Sequence, residues 1–345
     1  MNRSHRPFPG PSGSAAGAQF APSAAVKAAG ANALQSNHAE ARRGLIAAIG
    51  AYIAWGLLPA FIKLLDGVSP YEVLIHRVLW AAPFCGLIIT VRRQWGETKR
   101  VLRDFKTLRL LCLSGLFIGT NWLIFIFAVA NDRILETSIG YYINPLMMIM
   151  AGVILLGERI TQLQIVALLS AASGVLVLMI GNNVVPWTAL QLAVTFTVYA
   201  LLRKQISVGA VPGLFIETMV LTPFALTGLF FLTQDHSTSF INDGPAISLY
   251  LSLAGPFTVI PLTLFAVAAR RISLTTIGFL QYIGPTMAMI FAVLIGEPFT
   301  VAHAICFSLI WIAVALVSFE ALHKQRQARQ RLASSSILPD EPEKS

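Results

Sequence analysis

Ten runs of predominantly apolar residues, each about 20 long, follow one another along this chain of 345 residues. They lie roughly at 45–65, 71–91, 109–130, 134–156, 161–181, 186–202, 212–232, 247–268, 273–296 and 300–320. Coiled as an α-helix, a run of that length crosses the ~30 Å hydrocarbon core of a bilayer. The connections are short and leave no room for a soluble catalytic domain. Charge is also too scarce to cover a soluble surface, since 12% of residues are charged and 56% hydrophobic. The expected fold is an all-α membrane protein with ten transmembrane helices.

The distribution of basic residues orients those helices. With the N-terminus inside, 22 of the 25 Lys and Arg fall in the tails and the even-numbered loops. Seven of them sit in the loop RRQWGETKRVLRDFKTLR alone. Only Lys63 and Arg133 face outward, and Arg77 lies within a span. This lopsidedness is the positive-inside pattern, and it predicts that both termini are cytoplasmic. It also supports the least apolar run, 186–202, which carries Gln191, Thr195 and Thr197. The formal charge of +9 therefore reports topology, and no nucleic-acid partner is expected.

The chain repeats itself. FAVANDRILETSIG at 127–140 and FAVAARRISLTTIG at 265–278 share nine of fourteen positions at an offset of 138. The likeness continues through TSIGYYINPLMMIMAGVILLGE and TTIGFLQYIGPTMAMIFAVLIGE. Five spans separate the copies, so the halves cross the membrane in opposite senses, as two inverted five-helix repeats over 43–182 and 183–322. Inverted repeats mark secondary transporters, whose halves rock about a central site. Each copy carries a proline near mid-span, Pro145 and Pro285, which frees the carbonyl four residues back, on Tyr141 and Gln281. In hydrocarbon such a carbonyl must face protein or a water-filled cavity. Tyr141, Tyr142, Asn144, Gln281 and Tyr282 surround the two breaks, as either a substrate cavity or a packing kink.

The segments EVLIHRVLW, GTNWLIFIFAVAN, IGYYINPL, FIETM and GFLQYIGPT resemble the RarD-type permeases of the EamA-domain drug/metabolite transporter superfamily. The resemblance covers roughly residues 44–320. It implies two five-helix repeats, a bacterial plasma (inner) membrane location, and transport of a small metabolite or drug. It further implies a central cavity lined by helices three, four, eight and nine.

Charged groups inside the spans are the next candidates. SPYEVLIHRV places Glu72 as a capping-box residue with Ser69, or as a partner of His76 one turn on. Arg77 lies about 10 Å along the helix from Ser69; it either snorkels or serves a site, because an intramembrane arginine costs at least ~2.5 kcal/mol. Glu217 holds the place in the second half that Glu72 holds in the first. Glu136, Asn121 and Trp122 flank the repeat: Asn121 suits a ligand contact or an interhelical bond, and Trp122 suits stacking on an aromatic ligand. Gly157-Glu158 and Gly296-Glu297 read as helix ends.

Other chemistries lack signatures. HExxH and GxGD are missing, AASG at 171–174 suits close helix packing better than a serine protease, and no phosphate-binding loop appears. Cys85, Cys112 and Cys306 all lie within apolar runs and suit neither a disulfide framework nor a metal. No enzymatic activity, cofactor or metal is expected. The expected partners are a small-molecule substrate and the lipid bilayer, with the chain a monomer or weak homodimer. The function expected is a secondary transporter, the alternative being a non-transporting membrane sensor or assembly partner. Residues 1–42, rich in Ala, Gly, Ser and Pro, and 323–345 support no core and are expected to be disordered.

Overall fold

A computed structural model describes residues 24–131, 134–181, 187–234, 238–294 and 300–337. Two compact units divide at residue 40: Met1–Glu40 and Ala41–Ser345. The described residues form helices that fall into ten passes: α1 (Ala24–Gly56), α2 (Pro70–Val91), α3 (Phe105–Ala130), α4 (Ile134–Leu156), α5 (Gln162–Gly181), α6 (Trp187–Gln205), α7 (Ala210–Gln234), α8 (Pro245–Ala269), α9a (Leu274–Gln281) with α9b (Ile283–Leu294), and α10 (Val301–Ile337). Short helices at Leu58–Ile62, Lys63–Leu65, Trp95–Arg103 and Ser239–Asn242 complete the described chain.

Nine candidate spans among the described residues are long and apolar enough to cross a membrane. The exception is α6, whose polarity is internal: Thr188, Thr197 and Arg203 are all buried. Hydropathy undervalues such a helix because its polar groups meet other helices instead of lipid. Its 19 residues still reach about 28 Å at 1.5 Å each.

Packing follows the repeat. α2 packs on α7 and α8, α3 on α6 and α7, α4 on α6 and α9a, and α5 on α10. Advancing every number by five turns the α2–α8 pair into α7–α3, and returns α2–α7, α4–α9 and α5–α10 to themselves. Those are the contacts an inverted repeat requires. Matched glycines make the crossings close. A Cβ on Gly255 of α8 would strike the backbone of Trp80 in α2, and one on Gly115 of α3 would come within 3.1 Å of the Glu217 carbonyl in α7. At the α5–α10 crossing, a Cβ on Gly174 would lie 3.0 Å from the Cys306 carbonyl oxygen. That is the packing role read for AASG, with Ser173 exposed beside it.

Three expectations need correction. The two prolines do not act alike: α4 runs unbroken through Pro145, whereas the ninth pass breaks at Tyr282, three residues before Pro285. Helix resumes because the Tyr282 carbonyl accepts from both the Thr286 amide (3.2 Å) and its hydroxyl (2.7 Å). The tails are also more regular than composition suggests. Helix extends from Ala24 at one end and to Ile337 at the other; Ala, Lys, Arg and Gln are strong helix formers and need no core to coil. Finally, the basic loop after α2 contains a surface helix, Trp95–Arg103, docked through Val101 and through Trp95, whose ring meets Phe215 edge-on at 5.6 Å.

Candidate functional site

Arg77 is held between helices. Its Nε donates to Thr258 Oγ1 of α8 at 3.0 Å, and its guanidinium carbon lies 4.7 Å from the ring centroid of Trp122 in α3. Thr258 gives its own proton to the Ala254 carbonyl at 2.8 Å, so a lone pair is turned toward Arg77. Tyr141 is 46% exposed, although its ring lies 6.3 Å from that of Phe125 in α3. Three helices thus converge on one cation: α2 and α3 from the first half, and α8 from the second. Arg77 itself is half-buried, and among the described residues no carboxylate pairs with it.

Other candidates turn away from this centre. Asn121 donates to the Leu192 carbonyl (2.8 Å) and Thr195 Oγ1 (2.9 Å), pinning α3 to α6. Tyr142 is buried and meets Phe307 of α10 edge-on at 5.6 Å. Tyr282 is 1% exposed and points its hydroxyl at the Tyr142 carbonyl, 3.5 Å away. These two tyrosines belong to the α4–α9 packing and not to a cavity wall. Consecutive helical residues diverge by about 100°, so Tyr141 and Tyr142 face different neighbours at the same depth. Asn144 and Gln281 are buried, and Asn144 Oδ1 and Gln281 Oε1 have no hydrogen-bond partner among the described residues. The side chain of Glu136, the region around Arg133, and Gly296-Glu297 lie outside the described residues.

The carboxylates have structural partners. Glu72 does not cap its own helix, for the Ser69 side chain makes no cap bond. It instead accepts from Thr238 Oγ1 (2.8 Å) and from the backbone amides of Ser239 and Phe240 (3.0 Å each), capping the short helix before α8. His76 is 3.9 Å from Glu72 and stacks on Phe240 at 4.6 Å, beside a cavity of about 320 Å³ lined by Leu79, Trp80 and Leu229. Glu217 is fully buried, takes the Ser114 hydroxyl at 2.5 Å and lies 3.4 Å from Arg203.

The charge-rich end of the bundle holds a network that the sequence did not disclose. Glu158, just past α4, accepts from the Leu274 amide (2.8 Å), the Thr275 amide (2.9 Å) and Thr275 Oγ1 (2.8 Å). It thereby clasps the N-terminus of α9a in the other half. Lys204 lies 3.7 Å from Glu158 and donates to the Ile272 carbonyl at 2.7 Å. Glu97 of the surface helix accepts from the Gly209 amide at 2.7 Å, and Arg270 donates to the Val208 carbonyl at 2.5 Å. Arg203 and Lys204 read as topological charges in the sequence, yet Arg203 is 2% exposed. Thr258 was equally hidden; its one signal is that prolines 256 and 261 flank it within α8.

Relatives share this plan. Residues 42–180 match the EamA-like transporter family. Protein RarD of Salmonella typhi is 41% identical over 84% of this chain and 98% of its own length. The uncharacterized transporter YojE of Bacillus subtilis is 36% identical over 85% of this chain and 99% of its own. A crystal structure at 18% identity superposes with a TM-score of 0.61, covering 81% of this chain and 98% of that one, and shares the fold. The chain belongs to the EamA-like transporter family and, within it, to the RarD-type permeases.

Proposed function

We propose that this membrane transporter is a secondary transporter. It carries a small organic solute across the bacterial inner membrane by alternating access, with both termini cytoplasmic. The observation that carries the reading is Arg77: a half-buried cation in the bundle, without a carboxylate partner among the described residues, contacted by helices of both halves. An intramembrane charge of this kind is expensive and marks a substrate or ion pathway. Trp122, Tyr141 and Thr258 complete the substrate site. The Glu158 clasp joins α4 of one half to α9a of the other at the charge-rich, cytoplasmic end, and we assign it as the inner gate. Pro285 and the break at Tyr282 give the ninth pass a hinge. Proteoliposomes holding the purified full chain, screened against a panel of radiolabelled metabolites, test this: protein-dependent, saturable flux of at least one solute is expected. Flux no greater than from empty vesicles across anionic, cationic and neutral solutes would overturn it.

A further inference from the structure

We infer that the Arg77 site takes a singly charged organic carboxylate with an aromatic or branched apolar body. This rests on the reading of Arg77 as the substrate site, and three observations support it.

Its orientation is fixed. Nε is committed to Thr258, and the central carbon sits over the Trp122 ring, 4.7 Å from its centroid. The remaining edge carries Nη1 and Nη2, whose N–H groups have no protein acceptor among the described residues. That edge matches the two oxygens of a carboxylate, which an arginine fork binds through parallel charge-assisted hydrogen bonds.

Its charge has no carboxylate partner among the described residues. The described acids nearest in the fold are already engaged: Glu72 by Thr238, Ser239 and Phe240, Glu217 by Ser114 and Arg203, and Glu158 by the start of α9a. A cationic solute would find no free carboxylate among them and would meet the field of Arg77. A neutral solute would leave the arginine charge unbalanced in every occluded state. A monoanion cancels it, so the complex that must cross the closed intermediate is electroneutral. A dianion such as a phosphate monoester would leave one negative charge over.

The surroundings fix the rest of the ligand. Trp122 borders the cation, and Phe125, one turn on in α3, faces the Tyr141 ring of α4. Such rings reward an apolar or aromatic body and offer little to a small hydrated anion.

The test is equilibrium binding to the purified full chain in nanodiscs, read by tryptophan fluorescence and by calorimetry. It uses three ligands of one shape: 3-phenylpropionate, 3-phenylpropionamide and 3-phenylpropylamine. The carboxylate is expected to bind at least about tenfold more tightly than the amide, the worth of one good charge-assisted contact, and the amine least of the three. Arg77→Gln should bring carboxylate and amide to within about twofold of each other. Thr258→Val, which frees the guanidinium without removing its charge, should weaken the carboxylate several-fold while keeping the order. That variant holds the question open should Arg77→Gln fail to insert. Equal binding of carboxylate and amide by the native chain overturns the inference, as does the absence of saturable binding for carboxylates from acetate to 3-phenylpropionate. Flux without charge preference would remove the carboxylate while leaving the transporter reading intact. Charge-selective binding without flux would do the reverse.

Discussion

Glu158→Gln tests the inner gate. Glu158 accepts two backbone amides and one hydroxyl at the first turn of α9a, with Lys204 at 3.7 Å. Both Glu158 oxygens accept, so glutamine loses the charge and also turns an amide nitrogen toward one donor that then has no acceptor. The difference between a charge-assisted and a neutral bond is about 1 kcal/mol for each backbone amide, and the helix dipole adds about 0.3–1 kcal/mol. The Lys204 pair adds little, since that side chain is a quarter exposed. The sum, at least about 2–3 kcal/mol, moves the equilibrium between clasped and open inner ends by at least about 30- to 140-fold, taking 1.4 kcal/mol as tenfold. The assay places one cysteine at Leu274, which is buried under the clasp, in a background with Cys85, Cys112 and Cys306 replaced by alanine. A membrane-impermeant maleimide is then applied to inside-out vesicles. Where opening is rare and fast, labelling rate follows the open fraction, so Glu158→Gln should speed it by more than tenfold. An unchanged labelling rate at equal membrane abundance, with only the melting temperature lowered, would make Glu158 a structural cap and refute the gate.

Three further outcomes are expected. Asn121→Leu should lower the thermal stability of the purified protein by the loss of two α3–α6 hydrogen bonds, about 1–3 kcal/mol in all, while solute affinity stays within about twofold; a large loss of affinity would return Asn121 to the site. Pro285→Ala should leave protein in the membrane and slow flux, and Pro145→Ala should slow it less, because α4 runs unbroken through Pro145 whereas the ninth pass breaks just before Pro285; equal effects would remove the hinge. Reporter fusions after Lys204 and after Arg331 should both report a cytoplasmic location, and a periplasmic signal from either would overturn the orientation.

Depth was legible in the sequence and direction was not. The recurring runs and the 138-residue offset disclosed the passes and their inversion, because hydrocarbon thickness fixes span length. Arg77 stood out because a charge in an apolar run is rare. Facing was invisible: Asn121 and Trp122 are adjacent, yet the first binds α6 and the second lies under Arg77. Long-range partners were equally hidden, since Thr258 lies 181 residues from Arg77 and Thr238 lies 166 from Glu72. The polarity of α6 read as weakness in a membrane span; in the fold it is what lets Arg203 reach Glu217.

The central claim is that one site about Arg77 opens to each side of the membrane in turn. A single cysteine at Tyr141, in the cysteine-free background, tests it through labelling by impermeant maleimide in right-side-out and in inside-out vesicles. Labelling is expected from both faces, with Glu158→Gln raising the inside-out rate and lowering the right-side-out rate. Labelling from one face only, under every condition including Glu158→Gln, would contradict alternating access at this site.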